Sequence, residues 1–208
     1  LLYFGAVNYD CHVYVNGKKV GHHIGGFTPF NFDVTKQLKD GENTVIVKVD
    51  NKRHAEDVPT QIFDWWNYGG ITRDVLLVNV APLYIENYSL QLQKPLQMKG
   101  GKPNAQQQLQ FEVNLNKAES GQQVTFSIPE LKINKVLTTD AEGKASFGFS
   151  AKPQLWSPNN PKLYRVNLTL NGETLTDDIG FRTIETREKQ ILLNGQPIFL
   201  KGISIHEE

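Results

Sequence analysis

Tyr164-Arg165-Val166-Asn167-Leu168-Thr169-Leu170-Asn171-Gly172 is the stretch that decides the fold class. Tyr164, Val166, Leu168 and Leu170 alternate with Arg165, Asn167 and Thr169, a period of two that puts one face of a strand on a core and the other in water. The run stops at Asn-Gly, the dipeptide best suited to a two-residue hairpin turn. The same alternation recurs at residues 88–93, 109–115 and 124–128, and the Asn-Gly pair recurs at 16–17 and 194–195. No window of 11 or more residues carries helical periodicity. The expectation is an all-β chain.

At 208 residues, the chain has room for two domains of about 100 residues, each with its own core. A boundary is readable at Ala81-Pro82, where a strand from Asp74 to Val80 ends and proline interrupts. The first module is therefore 1–82 and the second 83–185, with 97–107 a polar loop inside it. From 186 the character changes: a hairpin around Asn194-Gly195 leads into a strand that stops at His206-Glu207-Glu208, so 186–208 reads as a separate leading segment. Five or six strands can be counted before Ala81, whereas a closed double-sheet jelly roll has about eight. Missing strands would leave an unpaired apolar edge, so the first module is expected to be an incomplete sandwich.

Lys plus Arg and Asp plus Glu stand at 22 each, and neither sign forms a run, which argues against nucleic acid or an anionic membrane as partner. No apolar stretch approaches the roughly 20 residues that span a bilayer, and the first residues show no leader pattern. The reading is a soluble chain, cytoplasmic or periplasmic, with a neutral ligand. The single cysteine, Cys11, lies in an apolar alternating run beside Val13 and Val15 and reads as a buried inert thiol. His22-His23 sits beside a glycine-rich turn without a third ligand nearby, which reads as a solvated loop and not a metal site.

The densest chemistry is Phe63-Asp64-Trp65-Trp66-Asn67-Tyr68-Gly69-Gly70-Ile71-Thr72-Arg73-Asp74-Val75. Carboxylate and amide oxygens accept hydrogen bonds from sugar hydroxyls, aromatic faces cover the C–H surface of the ring, and loops display such groups. The plainer reading is that Trp65, Trp66 and Tyr68 seal the bottom of a sandwich while Asp64 pairs with Arg73 or caps a turn. Arg73 and Arg182 read as ion-pair or backbone-capping residues.

Four motifs in order resemble one family. Residues 14–23 (Tyr14-Val15-Asn16-Gly17 to His22-His23), Gly26-Phe27-Thr28-Pro29-Phe30, Asp33-Val34-Thr35 and Gly41-Glu42-Asn43 resemble the sugar-binding jelly roll of glycoside hydrolase family 2, home of β-galactosidases, β-glucuronidases and β-mannosidases. The 64–75 loop resembles the stretch closing that domain. Leu155-Trp156-Ser157-Pro158, Pro161-Lys162-Leu163-Tyr164 and Gly180-Phe181-Arg182 are similar to the family's immunoglobulin-like domain. Leu193-Asn194-Gly195-Gln196-Pro197 with residues 200–207 resembles the lead into its catalytic (β/α)₈ barrel.

The resemblance implies an all-β front portion: an incomplete jelly-roll sandwich, an immunoglobulin-like β-sandwich, then the first strand of the barrel. Asp64 falls where members place a carboxylate that reaches substrate hydroxyls and, in some β-galactosidases, a sodium ion. His206 matches a sugar-contacting histidine at the end of the first barrel strand, where barrel sites are built, although Ser204-Ile205 replaces the usual asparagine and arginine. Trp66 and Glu207 complete the substrate-binding candidates. Glu207-Glu208 cannot be the reacting pair, because neighbours on a strand face opposite ways; no catalytic residue and no metal ligand is expected here. Implied partners are a carbohydrate substrate, the remainder of the barrel and a second copy of the parent chain. No cofactor is required, with sodium or magnesium as a structural or substrate-bridging cation in the parent. A β-galactoside is the first substrate expected and a β-glucuronide the next. The rival readings are a stand-alone carbohydrate-binding module and a structural sandwich used as a spacer.

Overall fold

The computed structural model describes residues 1–58, 60–61 and 66–204. Strands dominate; among the described residues the only helical turn is a 3₁₀ turn at Pro129–Leu131, and no helix is long and apolar enough to cross a membrane. The chain divides into two compact units with the boundary between Ala81 and Pro82.

The first unit contains β1 (Leu2–Phe4), β2 (Val7–Asn8), β3 (Asp10–Val15), β4 (Lys18–Ile24), β5 (Phe30–Phe32), β6 (Val45–Asp50), β7 (Gly70–Ile71) and β8 (Val75–Leu77). They form antiparallel sheets ordered β5-β1-β8, β4-β3-β6 and β2-β7. Cys11, Val13 and Val15 from β3 join Leu2 and Phe4 from β1, with Val7 and Val34, in one core. Burial pushes the Cys11 thiol above its ordinary value, which suits an inert core residue. Among the described residues eight strand segments occur where alternation suggested five or six, because β2 and β7 are two residues long and too brief to register as a pattern. The strand expected at 74–80 shortens to β8. It is an edge strand among the described residues, with Val75, Leu76 and Leu77 exposed.

In the second unit β9 (Ile85–Leu92), β10 (Met98–Lys99), β11 (Lys102–Pro103), β12 (Gln107–Leu115), β13 (Gln123–Ile128), β14 (Ile133–Thr138), β15 (Lys144–Ala151), β16 (Tyr164–Leu170) and β17 (Glu173–Ile179) follow one another. Sheet β15-β12-β9 packs on sheet β14-β13-β16-β17, the three-plus-four arrangement of an immunoglobulin-like sandwich. Phe111 of one sheet meets Phe126 of the other at 4.3 Å between ring centroids, and both are fully buried. Such a side chain contributes about 1.5–3 kcal/mol relative to exposure. The 97–107 loop contains the small β10-β11 pair, closed by buried Gln107, whose amide accepts from Gln97 N at 3.0 Å and donates to Gln97 O at 3.0 Å.

The final strands β18 (Ile184–Arg187), β19 (Gln190–Leu193) and β20 (Gln196–Ile198) make a three-stranded meander. All three Asn-Gly turns have positive φ at both residues, 49° and 79° at 16–17, 50° and 85° at 171–172, 52° and 72° at 194–195. That is the left-handed pair required by the two-residue hairpin.

Candidate functional site

The aromatic loop of the first unit is anchored by amides. Asn67 Oδ1 accepts from Asn8 Nδ2 at 3.0 Å and from Arg53 Nε at 2.8 Å, while Asn67 Nδ2 donates to Asn51 O at 2.6 Å. Asn51 Nδ2 returns a bond to Asn67 O at 2.9 Å, and Asn8 Nδ2 also donates to Tyr68 O. Asn8 arrives on β2, whose partner β7 begins two residues after Tyr68; Asn51 and Arg53 follow the end of β6. Gly69 presses on Asn51 so closely that a Cβ there would sit 2.9 Å from the Asn51 side chain.

With Asn67 drawn inward, its neighbours at i−1 and i+1 turn outward. Trp66 is 77% exposed and Tyr68 67% exposed. This overturns the plainer reading for those two rings, which do not seal the sandwich; the physical reason is that the amide of Asn67 takes the inward position. Arg73 donates from Nη1 to Phe27 O at 3.1 Å, a backbone-capping role as expected. The loop therefore offers two exposed aromatic faces on a tethered backbone, a combination able to cover the apolar face of a ring ligand while fixed polar groups orient it.

Of the four substrate-binding candidates only Trp66 falls in the described part. Asp64, His206 and Glu207 lie outside the described residues, as does Trp65. Sequence reading missed the anchors Asn8, Asn51 and Arg53. The available signal was Asn8, an amide directly after the apolar strand residue Val7: a buried amide has to be hydrogen-bonded, and its partners mark what it holds.

Two family profiles match in succession, "Glycosyl hydrolases family 2, sugar binding domain" over residues 1–82 and "Glycosyl hydrolases family 2" over residues 96–182. The chain belongs to glycosyl hydrolase family 2. It is 31% identical over 220 residues to a putative β-glucuronidase of Formosa agariphila, covering all of this chain and 26% of that protein. It is 31% identical over 222 residues to a β-galactosidase of Priestia megaterium, covering 98% of this chain and 21% of that protein. The structure of Bifidobacterium dentium β-glucuronidase complexed with coumarin-3-O-glucuronide matches with a TM-score of 0.82 and 27% identity, over 97% of this chain and 39% of that one. The chain thus spans about a quarter of the length of these curated relatives.

The family motifs of the second unit converge on one another. Trp156 N donates to Phe181 O at 2.8 Å, the Arg182 guanidinium lies 5.1 Å over the Trp156 ring, and Arg182 Nη1 donates to Gly180 O at 3.3 Å. A Cβ on Gly180 would be 3.0 Å from the Trp156 ring, so glycine is what lets the indole lie there. Buried Asn194, at the turn between β19 and β20, accepts from Thr183 N at 3.1 Å and donates to Trp156 O at 3.0 Å. These contacts fasten the β18-β19-β20 meander to the second sandwich.

Proposed function

We propose that the chain is the front portion of a retaining β-glycosidase that hydrolyses terminal β-linked sugars, with a β-galactoside as first substrate. In that protein it lines the sugar pocket and supplies no bond-breaking group. The observation that carries the reading is the tethered loop of a family 2 sugar-binding domain, on which Trp66 and Tyr68 stand exposed while Asn67 is held from three sides. Asp64, two residues before Trp66, is the proposed acceptor for substrate hydroxyls, and His206 and Glu207 the proposed contributions of the first barrel strand.

Retaining glycosidases work with two carboxyl groups about 5–5.5 Å apart, one as nucleophile and one as acid then base. On this reading both come from other parts of the parent chain. A sodium or magnesium ion near Asp64 and association of two parent chains belong to the same proposal. A β-glucuronide is the second reading, favoured by the similarity to the Formosa protein and to the Bifidobacterium glucuronide complex. The two part on kcat/KM for chromogenic β-galactoside against β-glucuronide, measured on the full-length protein. Hydrolysis of neither sinks both. Enzyme-like turnover by the 208-residue chain alone sinks the claim that it carries no reacting pair.

A further inference from the structure

The outer face of sheet β4-β3-β6 gathers three metal-binding side chains. Alternation along β3 sends Asp10, His12 and Tyr14 away from the core that Cys11, Val13 and Val15 enter. A hairpin in plain register would not bring β4 to meet them. Continuing the pairs Val15↔Lys18 and Tyr14↔Lys19 would set His22 against Cys11, on the core face. A bulge between Val13 and Tyr14 shifts the register instead, so that Val13 pairs with Gly21 and His12 with His22. A one-residue shift exchanges the faces of every side chain beyond it. His22 therefore turns outward beside His12, and His23 turns inward to stack on Phe30 at 4.0 Å.

The outcome is a tight cluster. His22 Nε2 lies 2.8 Å and His12 Nε2 3.5 Å from the same oxygen, Asp10 Oδ1. The two imidazoles are parallel within 8°, with centroids 4.3 Å apart, and one donor atom from each of the three residues lies within 4.8 Å of the others. At 3.5 Å the His12 contact is too long to be a good hydrogen bond. Asp10 also pairs directly across the ladder with Asp50, and like charges in that position repel. Lys48, across from His12 on β6, offsets part of that negative charge. The expectation that His22 lacks neighbouring ligands is thus corrected: the ligands come from the paired strand and not from the adjacent sequence.

We propose that Asp10, His12 and His22 bind one divalent first-row transition cation of the Zn²⁺ class, with the remaining position taken by water, and that this ion ties β3 to β4. Two imidazole nitrogens and one carboxylate oxygen are a zinc-type set, whereas sodium, magnesium and calcium favour oxygen alone. Tetrahedral bonds of about 2.0–2.2 Å place ligand atoms about 3.3–3.5 Å apart. The Asp10–His12 separation already meets this, and the Asp10–His22 separation opens by about 0.5 Å on side-chain rotation to meet it. The side chains of Asp10, His12 and His22 are 38%, 28% and 39% exposed, so an ion has access and the rotation meets no core packing. The site stands apart from the glycosidase reading, and either can fail without the other.

The test is calorimetric titration of the 208-residue chain, stripped with EDTA and dialysed, with ZnCl₂, alongside Co²⁺ titration followed by visible absorption. One Zn²⁺ per chain is expected, with a Kd below about 10 μM, together with the intense Co²⁺ bands of a four-coordinate site. His22→Gln and Asp10→Asn each weaken binding at least about tenfold, and His54→Gln leaves it unchanged. Where Asp10→Asn loses the wild-type circular dichroism, His22→Gln, at the most exposed of the three positions, decides. Absence of saturable binding below about 1 mM, unchanged affinity in His22→Gln, or the weak Co²⁺ spectrum of a hexaaqua ion overturns the proposal.

Discussion

Asn67 shows how one amide sets the direction of its neighbours. Its side chain makes three hydrogen bonds, to Asn8, Arg53 and Asn51, and these fix which way Trp66 and Tyr68 point. Asn67→Ala removes one acceptor from Asn8, which keeps Tyr68 O, and one from Arg53, at about 1–3 kcal/mol for any polar group left buried and unsatisfied. If this loop lines the sugar pocket as proposed, the expected outcome in the full-length protein is a KM raised about tenfold with kcat within about twofold, because positioning of a surface shared by ground and transition states would be lost; a fall in kcat alone counts against it. Tyr88 is a second single-residue case. Its hydroxyl, on β9, donates to Asp177 Oδ2 on β17 at 2.5 Å and so latches the two sheets of the second sandwich along their edge strands. Burial, then the bond and charge of Asp177, pushes the Tyr88 pKa above its ordinary value of 10. A raised folded pKa means that the latch stabilises fully below the unfolded value and loses its contribution as pH rises past about 10. Thermal melts between pH 8 and 11 check this. Tyr88→Phe should cost about 1 kcal/mol at pH 8 and should flatten the loss above pH 10.

Among the elements, hairpin β3-β4 separates what alternation can reveal from what it cannot. The Asn16-Gly17 turn and the inward set Cys11, Val13 and Val15 were readable, since both follow from local chemistry. The bulge was not, because an extra residue in one strand leaves no mark on the pattern of the other, and with it went the meeting of His12 and His22. Gly21 belongs to the same element. Its pairing with Val13 puts it on the core face, where an added Cβ would lie 2.0 Å from the Phe32 ring. Phe32 comes from β5, so the glycine is the space in which one sheet receives a ring from the other. Gly21→Ala must displace that ring, at about 1–3 kcal/mol. The check is chemical denaturation of the chain, and a midpoint unchanged from the wild type means that Phe32 has room to move. The long strands β12, β13 and β16 were legible from strict alternation. The two-residue strands β2 and β7 were not, since they are held by two register pairs and carry no periodicity.

For the molecule as a whole, the sequence marked the crowded polar and aromatic stretch of the first unit more clearly than how that stretch is held. The exposed aromatics Trp66 and Tyr68 around Asn67 were legible because an amide and aromatics crowd a glycine-interrupted stretch. Its anchors were not, because Asn8, Asn51 and Arg53 are distant in sequence and meet only once β2, β6 and β7 have folded. This division has a functional counterpart. If the chain lines a pocket whose reacting carboxylates belong to the rest of the parent, changing Asp64 should weaken transition-state binding without removing the chemistry. Asp64→Asn keeps the size of the side chain and one acceptor oxygen but loses the charge, and hydrogen bonds from sugar hydroxyls to a charged acceptor contribute about 1.5–3 kcal/mol. In the full-length protein, kcat/KM for the preferred chromogenic glycoside should therefore fall by about 10- to 150-fold, while a mechanism-based glycosyl-enzyme intermediate still accumulates. Complete loss of that intermediate would mean that Asp64 itself reacts, and unchanged kcat/KM would mean that the loop lies away from the sugar.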